Sequence, residues 1–151
     1  MSYFTFLAAD CPLPEVAQKD YPIEINIDEE TGATTVYDGD MDDNYSMSKF
    51  HLEGINYIDK QFAVCLSWNY YTMGRARNII EYIKTVLQSC DSVEIWKIWL
   101  SGSEDMHPIF HRHEISIRNL TEEDIKKIDS QDTFDGEYNN KPNFYCLKIT
   151  K

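Results

Sequence analysis

"MGRARNIIEYIKTVLQSC" (residues 73–90) sets Met73, Ala76, Ile80, Ile83, Leu87 and Cys90 at spacings of three and four. Ile79 and Val86 widen that stripe, while Arg75, Arg77, Glu81, Lys84 and Gln88 are assigned to the outer side. An apolar stripe of this width marks a helix that packs across a core. Gly74 weakens its first turn only modestly.

The flanking segments have the two-residue period of strands. "QFAVCLSW" (61–68) puts Phe62, Val64, Leu66 and Trp68 on one side. "SVEIWKIWL" (92–100) alternates Trp96, Ile98 and Leu100 against Ile95, Lys97 and Trp99, so both faces are apolar apart from one lysine. That pattern suits a central strand. After a polar loop, "SGSEDMHP", comes the strand "HRHEISIRNL". "TEEDIKKID" then opens a short helix, with Thr121 and Asp124 spaced as a capping box and Leu120 and Ile125 as a hydrophobic staple. The loop "SQDTFDGEYNNKPN" leads to a last strand, "FYCLKIT".

From about residue 61 the order is thus βαββαβ, the split order of ferredoxin-like sandwiches. Upstream, "SYFTFLA" alternates as a strand covered on both faces, and "CPLPE" is an extended connector. "IEINIDEETGATTVY" reads as a hairpin with Gly32 in its turn. The segment "DGDMDDNYSMSKFHLEG" has no clear period and is expected to be loop with a short helical turn. The expected class is α+β, with a mixed, mostly antiparallel sheet in one domain over 1–151. An acidic strand, hairpin and loop segment (1–60) precedes the βαββαβ core (61–151).

Composition narrows the function classes. The chain has 151 residues, 42% of them hydrophobic, and a net charge of −12. Residues 1–60 carry 13 acids and 3 bases, a charge of −10, whereas residues 61–151 carry 13 acids and 11 bases, a charge of −2. Nucleic acid and anionic membranes both need positive charge on the protein, so neither is an expected partner. A basic protein is. No apolar run approaches the roughly 20 residues that span a bilayer. The start, "MSYFTFLAADCPLPE", lacks the basic region of a secretory signal, which predicts a cytoplasmic location. Cys11, Cys65, Cys90 and Cys146 are scattered without a C-x-x-C, as expected of reduced, structural thiols.

Three constellations bear on chemistry. "DGDMDDN" places Asp38, Asp40 and Asp42 at alternate positions, with Asp43 beside them. A calcium loop needs Gly sixth and Glu twelfth, and those places hold Asp43 and Lys49. The run is therefore expected to be a solvated acidic loop, with Asp38, Asp40, Asp42 and Asp43 forming part of a protein-binding surface. "SWNYYTMGRAR" joins Trp68, Tyr70 and Tyr71 to Arg75 and Arg77 at a helix start, an alternative corner for a small ligand. No G-x-G-x-x-G or P-loop sharpens it. Finally, "MHPIFHRHE" sets His111 and His113 on one strand face, with His107 beyond Pro108. Two imidazoles fall short of the three or four ligands that zinc takes, so a strand rim is expected there, without metal or cofactor.

Nucleophilic catalysis finds little support, with no G-x-S-x-G and no cysteine beside a histidine. The expected function is a non-enzymatic binding protein with an acidic face for a basic partner, such as an immunity-type inhibitor of a cationic toxin. The alternative is a small-molecule-binding or enzymatic domain using Trp68–Arg77.

Overall fold

A computed structural model describes residues 2–100, 106–133 and 141–151. The strands are β1 (Ser2–Ala9), β2 (Glu24–Ile27), β3 (Thr34–Tyr37), β4 (Ser46–Lys49), β5 (Phe62–Ser67), β6 (Ser92–Leu100), β7 (Ile109–Ser116) and β8 (Asn143–Thr150). The helices are α1 (Met73–Val86) and α2 (Glu122–Asp129). The class is α+β. Six strands form one sheet in the order β4-β5-β1-β6-β8-β7, and β2 and β3 form a separate ribbon. Every pair in the sheet is antiparallel except β7 with β8.

The order of elements from β5 onward is β-α-β-β-α-β, but the sheet is not assembled as a ferredoxin-like sandwich. In that arrangement both βαβ units are split, each around a strand of the other. Here β5-α1-β6 is split by the N-terminal strand: Leu7 of β1 faces Val64 on one side and Ile95 on the other. The β7-α2-β8 unit is unsplit, its strands paired directly in parallel. β1 takes the central place because both its faces are apolar. Leu7 and Ala9 point to the helices, and Phe6 and Ala8 point to the opposite side, all fully buried.

Both helices lie on one face of the sheet. Ala76, Ile79, Ile80, Ile83 and Val86 of α1 and Ile125 and Ile128 of α2 pack there on Leu7, Val64, Ile95 and Ile149. Thr72 starts α1, its hydroxyl accepting the Arg75 N–H at 3.1 Å. The helix stops at Val86, short of the Cys90 suggested by the apolar stripe. Gln88 and Ser89 instead bond back three residues, to Thr85 and Val86, and that tight turn feeds β6. The capping box of α2 is present, Asp124 accepting the Thr121 backbone N–H at 2.8 Å. Among the described residues, the other face of the sheet has no helix. Trp96, Ile98 and Phe144 are covered there by Phe50, Leu52, Ile55, Tyr57 and Ile58.

The stretch read as loop between residues 38 and 54 contains a strand. β4 pairs with β5 through Met47 opposite Leu66, and Met47 is buried. Its sequence, SMSK, holds one large apolar side chain, Met47, and no β-branched or aromatic residue, so no alternation marks it as a strand. The loops expected over 101–108 and 130–143 fall partly on residues 101–105 and 134–140, outside the described residues. Among the described residues no helix is long and apolar enough to cross a membrane.

Candidate functional site

The acidic run and the aromatic–arginine corner occupy each other. Asp38, expected on a solvated surface, is buried, and so is Arg75, expected on the outer side of α1. Arg75 Nη2 donates to Asp38 Oδ1 at 2.7 Å, with both side chains wholly out of solvent. Asn44 and Asn69 each donate to Asp38 Oδ2 at 2.9 Å. The Asp40 backbone N–H reaches Asp38 Oδ1 at 3.1 Å. The Tyr70 hydroxyl lies 2.8 Å from that oxygen and 2.5 Å from Asp40 Oδ1, so its one proton serves two carboxylates. Arg75 spends its other donors on the Met41 carbonyl (3.1 Å) and the Tyr70 carbonyl (2.9 Å), and its guanidinium lies over the Tyr70 ring.

A buried ion pair persists only where hydrogen bonds replace the lost water. That condition is met, and among the described residues no buried side-chain nitrogen or oxygen lacks a partner. Burial alone would raise the Asp38 carboxyl. The hydrogen bonds from Arg75, Asn69, Tyr70 and the Asp40 N–H outweigh it and hold Asp38 well below the usual carboxylate range. The bond to Asp40 pushes Tyr70 up to about 12.

Both corrections have one physical cause. Arg75 stands four residues before Ile79 and eight before Ile83, so it belongs to the buried row of α1 and brings its charge inside. The 38–44 loop supplies the compensating carboxylate. Gly74 completes the fit: a Cβ there would come within 1.8 Å of Asp42 Oδ1, so only glycine lets this carboxylate approach the first turn of α1. Negative charge is favourable at a helix N-terminus, and α1 has none of its own in that turn.

Asp40 and Asp42 remain exposed and Asp43 is half-buried. Asp43 pairs with the Lys19 ammonium and accepts from the Tyr21 hydroxyl at 2.7 Å, and both bonds depress its carboxyl. Asp43 therefore ties down the chain entering β2, as Asp38 ties down the chain leaving β3. The β2–β3 hairpin stands on that double anchor.

No family model, curated protein or solved structure matches this chain. The aromatic half of the corner, Trp68, Tyr70 and Tyr71, lines a groove of about 460 Å³ with Tyr3 and Asp129. Trp68 Nε1 donates to Asp129 at 3.1 Å, and Tyr71 donates to the Glu122 carbonyl at 3.2 Å. Arg75 is buried in its pair with Asp38 and does not line this groove, and Arg77 is paired with Glu122 at 3.4 Å. Lys97, unremarked in the sequence beyond its odd place in an apolar strand, is buried beside this groove. It donates to the Asp129 carbonyl and lies over the Tyr3 ring, and burial lowers its pKa.

His111 and His113 share one face, as their spacing requires, and line a groove of about 350 Å³ between β7 and α2. His111 stacks on Tyr145 with ring centroids 4.8 Å apart, and its Nε2 is 2.9 Å from Asn143 Oδ1. His113 and His107 are exposed. Among the described residues no three His, Cys, Asp or Glu side chains are placed to hold a metal ion. Treatment with a chelator is expected to leave the melting temperature unchanged, since a structural zinc would make folding metal-dependent. Stoichiometric zinc lost together with stability in a His111→Ala, His113→Ala variant would reverse that assignment.

The four thiols are free. Burial pushes Cys146 up to about 12, and burial with the adjacent Cys90 thiol pushes Cys11 up to about 11. These two thiols stay protonated at neutral pH, the opposite of what a nucleophile needs.

Proposed function

We propose that this chain is a non-enzymatic, cytoplasmic binding protein whose acidic face receives a basic protein, an immunity-type inhibitor of a cationic toxin being its most concrete form. One observation carries the reading. Asp20, Glu24, Asp28, Glu29, Glu30, Asp40 and Asp42 are all exposed along the hairpin and the loop that anchors it. The neighbouring Lys19 is already paired with Asp43. With Asp38 withdrawn into the core, the acidic face is the hairpin together with Asp40, Asp42 and Asp43, rather than the aspartate run alone. Such a surface attracts an opposite patch at long range and acts chiefly on association rate.

The test begins with capture from native lysate at about 0.05 M salt and again at about 0.5 M, where the Debye length is far below its roughly 10 Å at about 0.1 M. Association with the recovered protein is then compared for wild type and a variant with Glu24→Gln, Glu29→Gln, Glu30→Gln, Asp40→Asn and Asp42→Asn. Folding should survive, because all five side chains are exposed and an amide oxygen at position 40 can still accept from Tyr70. The association rate should fall about tenfold or more, and its salt dependence should flatten. A partner that is not basic, or a rate indifferent to both salt and the substitutions, would sink the reading. Attention would then move to the Trp68, Tyr70 and Tyr71 groove.

A further inference from the structure

The hairpin carries an aliphatic face that the rest of the described chain leaves uncovered. Ile23, Ile25 and Ile27 are 52, 63 and 66% exposed, and Val36 is 37% exposed. They lie together because alternate residues of a strand share a face and Ile25 is the register partner of Val36. The opposite face and the tip are acidic, with Glu24, Asp28, Glu29 and Glu30 exposed and no lysine or arginine between Asp20 and Tyr37.

Local structure accounts for the hairpin but not for its isoleucines. Asp28 Oδ1 accepts the Glu30 and Thr31 N–H groups at 2.8 and 3.1 Å, and Gly32 takes the positive φ of 71° that closes the turn. Threonine at 23, 25 and 27 would favour a strand as well without exposing apolar surface. A two-stranded ribbon is also marginal in water by itself. Its two roots are nevertheless fixed, at Asp38 and at Tyr21–Asp43. An apolar face on an anchored arm, rimmed by charge, has the make-up of an interface centre.

We propose that the Ile23, Ile25, Ile27 and Val36 face is the buried centre of the interface, and that the partner offers it an apolar groove rimmed by lysine and arginine. This deepens the basic-partner reading and rests on it. Charge selects the occupant. A second copy would bring another acidic tip, Asp28, Glu29 and Glu30, and another net charge of −12 up to the first. An anionic membrane would be repelled in the same way.

Peptides of about ten residues, alternating lysine with leucine, lysine with serine, or glutamate with leucine, test both parts by ¹⁵N NMR. Each is titrated into wild type and into an Ile23→Thr, Ile25→Thr, Ile27→Thr variant, which keeps strand preference and touches no core residue. The lysine–leucine peptide should shift the amides of residues 23–27 and 34–37, and the variant should bind it about tenfold or more weakly. Equal binding of the lysine–serine peptide, or undiminished binding by the variant, overturns the apolar centre and leaves the basic-partner reading standing. Equal binding of the glutamate–leucine peptide overturns the basic-partner reading instead. Shifts absent from the hairpin with all three peptides overturn the proposal outright. So does a concentration-dependent dimer in sedimentation that disappears in the variant, since it would give the face to a second copy.

Discussion

Ile83→Asp is expected to leave no cooperatively folded protein at 25 °C. Ile83 is fully buried between α1 and the sheet, among Leu7, Val64, Ile79 and Ile95. Removing an isoleucine from such a site forfeits about 1.5–3 kcal/mol of burial. The aspartate adds a carboxyl amid buried apolar side chains, and several further kcal/mol follow from its desolvation. The sum rivals the roughly 5–15 kcal/mol that holds a whole domain folded. Ile83→Val keeps the shape and should cost only about 1 kcal/mol. Circular dichroism melts of the three proteins make the comparison. An aspartate variant melting near wild type would mean that α1 does not bury this face.

How much of this was legible in the sequence follows from what kind of information each feature needs. The helix around Ile83 and the strands β5, β6 and β8 announce themselves by period, because burial on one face repeats every few residues. The capping box at Thr121 and the turn at Gly32 are equally local. Strand order is not local. "SYFTFLA" says that β1 is covered on both faces, but nothing in it says that β5 and β6 are its neighbours. The ferredoxin-like expectation failed at that point, since it assigned the gap between β5 and β6 to a later strand.

Asp38 was misread for a different reason. In "DGDMDDN" four aspartates look alike, and only a partner in space distinguishes the buried one. Arg75 did carry a signal, because it falls on the Ile79–Ile83 row at i, i+4 spacing. A cation on a buried row demands a carboxylate, whichever residue supplies it. Asn44 and Asn69, which complete the cage, carried no comparable mark. The exposed Ile23, Ile25 and Ile27 mislead in the opposite sense, as their alternation is what a strand on a covered sheet also shows.

The second large effect is expected at the buried pair itself. Arg75→Met should destabilise the protein by about 3–5 kcal/mol, the usual consequence of leaving one member of a buried ion pair without the other. Asn44, Asn69, Tyr70 and the Asp40 N–H would still hold Asp38, which favours the lower end of that range. Adding Asp38→Asn to Arg75→Met should recover part of the loss, because no uncompensated charge is then buried. Denaturant titration of the single and double variants measures the coupling. Additive losses would mean that the pair contributes nothing as a pair.

The same carboxylate makes stability depend on pH in the acid range. Its folded pKa lies below the unfolded value of about 3.9. The folded state therefore binds this proton less readily than the unfolded chain does. The resulting stabilisation is complete above the unfolded pKa and is lost as pH falls from there toward the folded pKa. Asp28 and Asp43 shift in the same direction, so wild type alone does not isolate Asp38. The comparison that does is wild type against Asp38→Asn. Their difference in unfolding free energy should be largest above about pH 5 and should shrink steadily below about pH 4. A difference that stayed constant down to about pH 2 would show that Asp38 titrates alike in both states, and the buried pair could not then be what fixes the hairpin's root.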